Sequence, residues 1–122
     1  MHLGPMHKLD EPPFEERLLS ERERLRELAL EALAKLFDHQ TRAGLTEQAT
    51  QSAVRMLSID PLHEVVHRAL MRLYVQRGRR AAVMRQYQAC VAVLQRELGE
   101  APEPETTQLY REVVRQRALG PG

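Results

Sequence analysis

Displaced by 34 residues, the sequence partly overlays itself. Leu36 falls on Leu70, Gly44 on Gly78, Ala49 on Val83, Ala53 on Tyr87 and Met56 on Cys90. A period of this length holds two antiparallel helices and a short glycine turn. One such hairpin cannot bury its own apolar face, so neighbouring hairpins have to stack. A small residue early in the second helix of a unit, such as Ala49, lets that helix approach the first. Bulkier residues further along fill the gap. The first unit spans roughly residues 30–63 and the second roughly 64–97.

Helical periodicity supports this division. Leu25, Leu28, Ala29, Ala32, Leu33 and Leu36 recur at three- and four-residue steps and make one apolar stripe, expected to face the core. Leu18 and Leu19 extend it into a stretch charged nearly all round and are read as the far end of the same core, with docking on something outside these residues as the alternative. A second helix is expected from Thr46 as N-cap to Ile59, with Ala49, Ala53, Met56 and Leu57 inward. Pro61 is expected in the first turn of a third helix, where its missing N–H is not needed. That helix buries Val66, Ala69, Leu70, Leu73 and Tyr74 and ends at Gly78. A fourth runs from about Arg79 to Leu98, with Val83, Tyr87, Cys90, Val91, Leu94 and Leu98 inward. Pro104 opens a fifth, with Leu109, Tyr110, Val113 and Val114 apolar. No segment alternates with period two. The expected fold is all-α: about five helices in a right-handed stack of antiparallel hairpins, with residues 14–117 as the domain. Residues 1–13, with three prolines, read as a flexible lead-in or non-native remnant, and 118–122 as a frayed tail.

Composition narrows the function. At 43% hydrophobic and 29% charged, the chain is no disordered polar tail. It has no apolar run long enough to span a membrane and no secretory leader pattern, so a cytoplasmic location is expected. The single Cys90 excludes an internal disulfide, and its place on an apolar stripe makes it a small core residue. The net charge of +1 argues against binding nucleic acid by bulk charge. The charge is unevenly spread: residues 61–122 are base-rich and residues 1–60 acid-rich. Direct nucleic-acid binding through the second half therefore stands as an alternative.

The second unit resembles the tetratricopeptide pattern at Leu70, Tyr74, Gly78, Tyr87 and Cys90, and departs from it at Met71 and Val83. The first unit carries Ala53 where the pattern has a large aromatic. A closer resemblance lies in four ordered blocks: ERERLRELALEALAKL, DPLHEVVHRALMRLY, GRRAAVMRQY and LGEAPEPETTQLY. Together these resemble the bacterial transcriptional activator domain over about residues 14–115. The resemblance implies a tetratricopeptide-like fold and a regulatory, oligomerising or partner-binding role, without catalysis or cofactor. It implies that DNA is touched only through a winged-helix domain that these residues do not contain, since they supply no strands for a wing.

One short motif competes with this reading. His63-Glu64-Val65-Val66-His67 has the H-E-x-x-H pattern, in which two histidines one helical turn apart share a zinc ion and the glutamate is general base. A zinc hydrolase is thus a second alternative. Against it, Leu70 and Leu73 stand where a longer signature has glycine and a third histidine. A third ligand such as Glu97 would have to come from another helix. The repeat register places His67 at a packing position, level with Leu33, and leaves Glu64 on the surface. Arg77-Gly78-Arg79-Arg80 is a basic turn, read as solvated surface with Gly78 supplying positive φ.

In tetratricopeptide-like stacks the first helix of each hairpin lines a concave face. In this register the residues beside the packing stripe are Ala34, Asp38 and Arg42, then Val65, Arg68, Arg72 and Gln76. Arg68 and Arg72 share one helix face and repel unless an acid lies between them. The expected ligand of this groove is an acidic segment of a protein partner or of a neighbouring protomer, the latter making a homo-oligomer. A simple Asp38–Arg72 pair is the competing expectation.

Overall fold

Two of the turns are made by glycines in the left-handed region, Gly44 at φ +73° and Gly78 at φ +70°. Around them the repeat is reproduced bond for bond. Leu45 N–H reaches back to the Gln40 carbonyl at 2.8 Å and Gly44 N–H to Thr41 at 3.2 Å. One repeat later, Arg79 N–H reaches Tyr74 at 2.9 Å and Gly78 N–H reaches Val75 at 3.0 Å. Both turns therefore satisfy the last carbonyls of the preceding helix by the same pair of back-bonds.

The computed structural model describes residues 13–119. Within them lie five helices: α1 (Phe14–Arg42), α2 (Thr46–Ile59), α3 (Glu64–Gln76), α4 (Arg80–Leu98) and α5 (Pro104–Leu119). No strand occurs among the described residues, and the architecture is an all-α helical stack. Of the expected lead-in, only Pro13 lies within the described residues. The tail expected to fray from 118 is helical to Leu119, and residues 120–122 lie outside the described part. No described helix is long and apolar enough to cross a membrane.

The chain divides into two compact units, residues 1–32 and 33–122. In the first, α1 is exposed almost all round. Arg24 pairs with Glu21 and Arg26 with Glu23, each one turn apart. Exposed i,i+3 pairs of this kind add only a few tenths of a kcal/mol to a helix.

In the second unit, α3 packs against α2, α4 and α5, and α4 also packs against α5. Ala49, Ala53, Met56, Leu70, Met71, Leu73, Val83, Cys90 and Leu94 form the buried interior. Repeat-related positions are buried alike, Ala49 with Val83 and Met56 with Cys90. At the α5 end, Met71, Val83 and Val113 are surrounded by Tyr74, Tyr87, Leu109 and Tyr110. The rings of Tyr87 and Tyr110 stack at 4.1 Å with 9° between their planes.

Four local expectations are corrected. Leu45, not Thr46, occupies the N-cap of α2, so Thr46 is already helical and its carbonyl receives the Thr50 hydroxyl. Pro61 lies in a turn ahead of α3, where Asp60 Oδ1 accepts the Leu62 N–H at 3.2 Å and His63 holds the N-cap position. Leu98, the last residue of α4, is exposed. The α1 stripe is not a core face: Leu18, Leu19, Leu25, Leu28 and Leu36 are all exposed, and Leu33 is half-buried. Leu36 keeps 43% of its surface in solvent while its repeat mate Leu70 keeps 1%.

Candidate functional site

The first turn of α3 and the first turn of α5 are joined by a polar cluster. Arg68 comes from α3, and only 7% of its side chain is exposed. Burying a guanidinium is costly unless its N–H groups find acceptors. Here Nη1 donates to Glu103 Oε1 at 2.8 Å and to Thr106 Oγ1 at 3.0 Å. Nη2 lies 3.6 Å from Glu105. The Thr106 hydroxyl, fully buried, passes its own proton on to Glu64 Oε2 at 2.6 Å. The same carboxylate oxygen accepts the backbone N–H of Glu103 at 2.6 Å. Glu64 thus satisfies an N–H just ahead of α5, and Arg68 neutralises the acids gathered there.

This overturns two expectations. Glu64 is a half-buried anchor for α5, not a free surface acid. Arg68 does not look into an open groove, because the acidic segment it was expected to recruit from outside is supplied by residues 103–105 of its own chain. The other groove residues remain accessible. Ala34, Val65, Arg72 and Gln76 are exposed. Asp38 pairs with Arg42 at 2.9 Å, and Arg72 reaches Glu105 at 3.9 Å. Asp38 and Arg72 therefore spend their charges on other partners. No hydrogen bond or ion pair among the described residues links the three α1 members to the four α3 members.

Of the H-E-x-x-H residues, His67 and Glu64 are committed elsewhere. His67 is 4% exposed. Its Nε2 lies 2.8 Å from the Pro61 carbonyl, which can only accept, so the proton resides on Nε2. Nδ1 is then the acceptor and takes the Gln86 amide N–H at 2.8 Å. Burial pushes the His67 pKa below the ordinary imidazole value, opposed by the bond to Pro61 and the nearby Glu64. Both ring nitrogens hold α3 to its surroundings, and Glu64 holds α5. No group of three or more His, Cys, Asp or Glu able to hold a metal ion exists among the described residues. Cys90, fully buried, has its thiol pushed up to about 11, chiefly by desolvation and next by the Glu64 charge.

The basic turn is also occupied. Arg77 lies 3.9 Å from Glu47, Arg79 sits over the Tyr74 ring at 5.7 Å, and Arg80 donates to the Val113 carbonyl at 2.7 Å. From the α3–α4 turn these arginines reach α2, α3 and α5.

Two apolar features remain. One is a groove of about 480 Å³ between α2, α3 and α4, lined by Val54, Leu57, Leu70, Ala89, Ala92 and Val93 with the His67–Gln86 pair at its side and Arg96 at one end. The other is the outward stripe of α1. Sequence reasoning placed this stripe in the core, kept outside docking of Leu18 and Leu19 as the alternative, and did not find the groove. A signal for the groove exists in retrospect: Ala89 and Ala92, three apart on one face of α4, leave a strip with no side chain beyond Cβ.

A model of the bacterial transcriptional activator domain matches residues 4–114. The chain belongs to this family. Neither a curated protein nor a solved structure matches it. The family is regulatory and tied to transcription, and it is not a known enzyme family, which agrees with a site whose acids, histidines and arginines are spent on holding helices together.

Proposed function

We propose that this bacterial transcriptional activator domain is a non-catalytic protein-interaction module, and that it meets its partner through the outward stripe of α1. The observation that carries this reading is the exposure of Phe14, Leu18, Leu25 and Leu28 at 69, 36, 52 and 47% on one face of a helix. Scattered exposed leucines are ordinary, but four large apolar side chains aligned on one helix face, interrupted only by Glu21, mark a contact surface. Covering each half-exposed side chain is worth about 1 kcal/mol. Of the expected groove, Val65, Arg72 and Gln76 stay open to solvent. Arg68 is withdrawn from the surface by its bonds to Glu103 and Thr106.

The test is the pair Leu25→Lys and Leu28→Lys, which keeps good helix formers at exposed positions. Transcription of a reporter by the regulator carrying this domain should fall several-fold while helicity and melting temperature hold. Unchanged activation in a folded variant overturns the proposal.

A further inference from the structure

We infer that the partner of the α1 stripe is a second copy of this chain, whose α2–α4 groove receives it. The inference rests on the reading of α1 as a contact surface and adds the occupant. Three observations carry it.

The first is length. On α4 the groove runs from Gln86 to Arg96. The part of the stripe from Leu18 to Leu28 spans the same ten steps, about 15 Å at the helical rise, and Phe14 extends it by one more turn.

The second is shape. Ala89 and Ala92 are exposed on α4 and lift nothing above their Cβ atoms, while Val54 stands 47% exposed on the α2 side. The space between them, about 480 Å³, takes leucine side chains from a helix lying along α4. How closely two helices approach is set by the side chains at the contact, and alanine permits the near end of the range.

The third is charge. Arg85 lies one turn before Ala89 and Arg96 one turn after Ala92, so both ends of the strip are cationic. Arg85 has no acidic partner among the described residues, and Arg96 has only the adjacent, exposed Glu97. On α1, Glu21 lies between Leu18 and Leu25 on the same face, and its one ion pair is the exposed Arg24. A leucine strip with an embedded carboxylate complements an apolar groove with guanidinium ends.

Sedimentation velocity of the whole chain tests this. The weight-average mass of the wild type should rise with concentration up to about 1 mM, the weak end of specific association. Ala92→Trp, which fills the groove from an exposed position, and the pair Leu25→Lys and Leu28→Lys should each weaken self-association at least about tenfold, with helicity unchanged. Ala89→Arg gives the same reading if the tryptophan variant is less helical. Mixing the groove variant with the stripe variant should restore a one-to-one complex, since each supplies the half that the other lacks. A wild type that stays monomeric throughout overturns the inference, and so does an Ala92→Trp chain that associates as well as wild type while the stripe variant does not. A monomeric wild type whose stripe variant still loses transcription sinks the second copy as partner and leaves the proposed function standing. A stripe variant that loses neither property sinks both.

Discussion

The carboxylate of Glu64 accepts a 2.6 Å hydrogen bond from the buried hydroxyl of Thr106, 42 residues further along the chain. It also accepts the Glu103 N–H, while Arg68 donates to the same hydroxyl, so donors and acceptors alternate through the cluster. This is the polar half of the α3–α5 contact; the apolar half is Met71 and Val113, with Val83 of α4 in the same cluster.

Glu64→Gln should therefore destabilise the fold by about 1 kcal/mol, since a neutral amide replaces a charged acceptor of two hydrogen bonds. Arg68→Met removes the donor that balances the cluster and should cost about 2 kcal/mol or more. Chemical denaturation measures both, and amide exchange in α5 should accelerate first. A Glu64→Gln chain with wild-type stability and wild-type protection of α5 would show that the anchor contributes nothing.

His67 makes stability depend on pH. Its folded-state pKa lies below the ordinary imidazole value, mainly because burial disfavours the cation. As pH falls through about 6.5, the unfolded chain takes up a proton that the native ring resists, so the native state loses ground. The stabilisation is fully present above that pH and is lost as pH drops towards the folded-state pKa. Protonation also puts a hydrogen on Nδ1, opposite the Gln86 amide N–H, so the amide has to turn over. The melting temperature should decline below about pH 6.5 more steeply than in His67→Gln, whose amide does not titrate. Parallel profiles for the two proteins would remove His67 as the cause.

The helix ends were legible in the sequence because their determinants are local. A glycine after an apolar stripe ends a helix, and Gly44 and Gly78 do so with the same back-bonds. Burial was only half legible. Leu36 and Leu70 occupy one register, yet only Leu70 is covered, because a stripe declares that a face is apolar and not that a neighbour covers it. The cluster of Glu64, Arg68, Glu103 and Thr106 was not legible. In a helix's first turn a glutamate resembles any solvated acid, and its partners come from a segment whose approach is fixed by Tyr87 and Tyr110 stacking elsewhere.

Cys90 should be inert in the native state. The thiolate is the reactive form, and with its pKa pushed up to about 11 little of it exists at neutral pH. Full burial removes access as well. A thiol reagent at pH 8 should modify the native chain roughly a hundredfold more slowly than the chain in denaturant. Equal rates would place Cys90 at the surface.

Gly78 separates backbone conformation from packing. Its φ is +70°, and a Cβ built on it meets nothing within 4 Å. Any cost of substitution is thus conformational, because β-branched residues resist positive φ whereas asparagine tolerates it. Gly78→Val should lower stability by about 1 kcal/mol or more, and Gly78→Asn by distinctly less. The strain falls on the back-bonds from Gly78 and Arg79 to Val75 and Tyr74 and on the seat of Arg79 over the Tyr74 ring, so the valine chain should show faster amide exchange at both positions. Thermal denaturation ranks the three proteins. If valine and asparagine cost the same, a clash is the cause and the left-handed turn is not; if neither costs anything, Gly78 does not hold the turn.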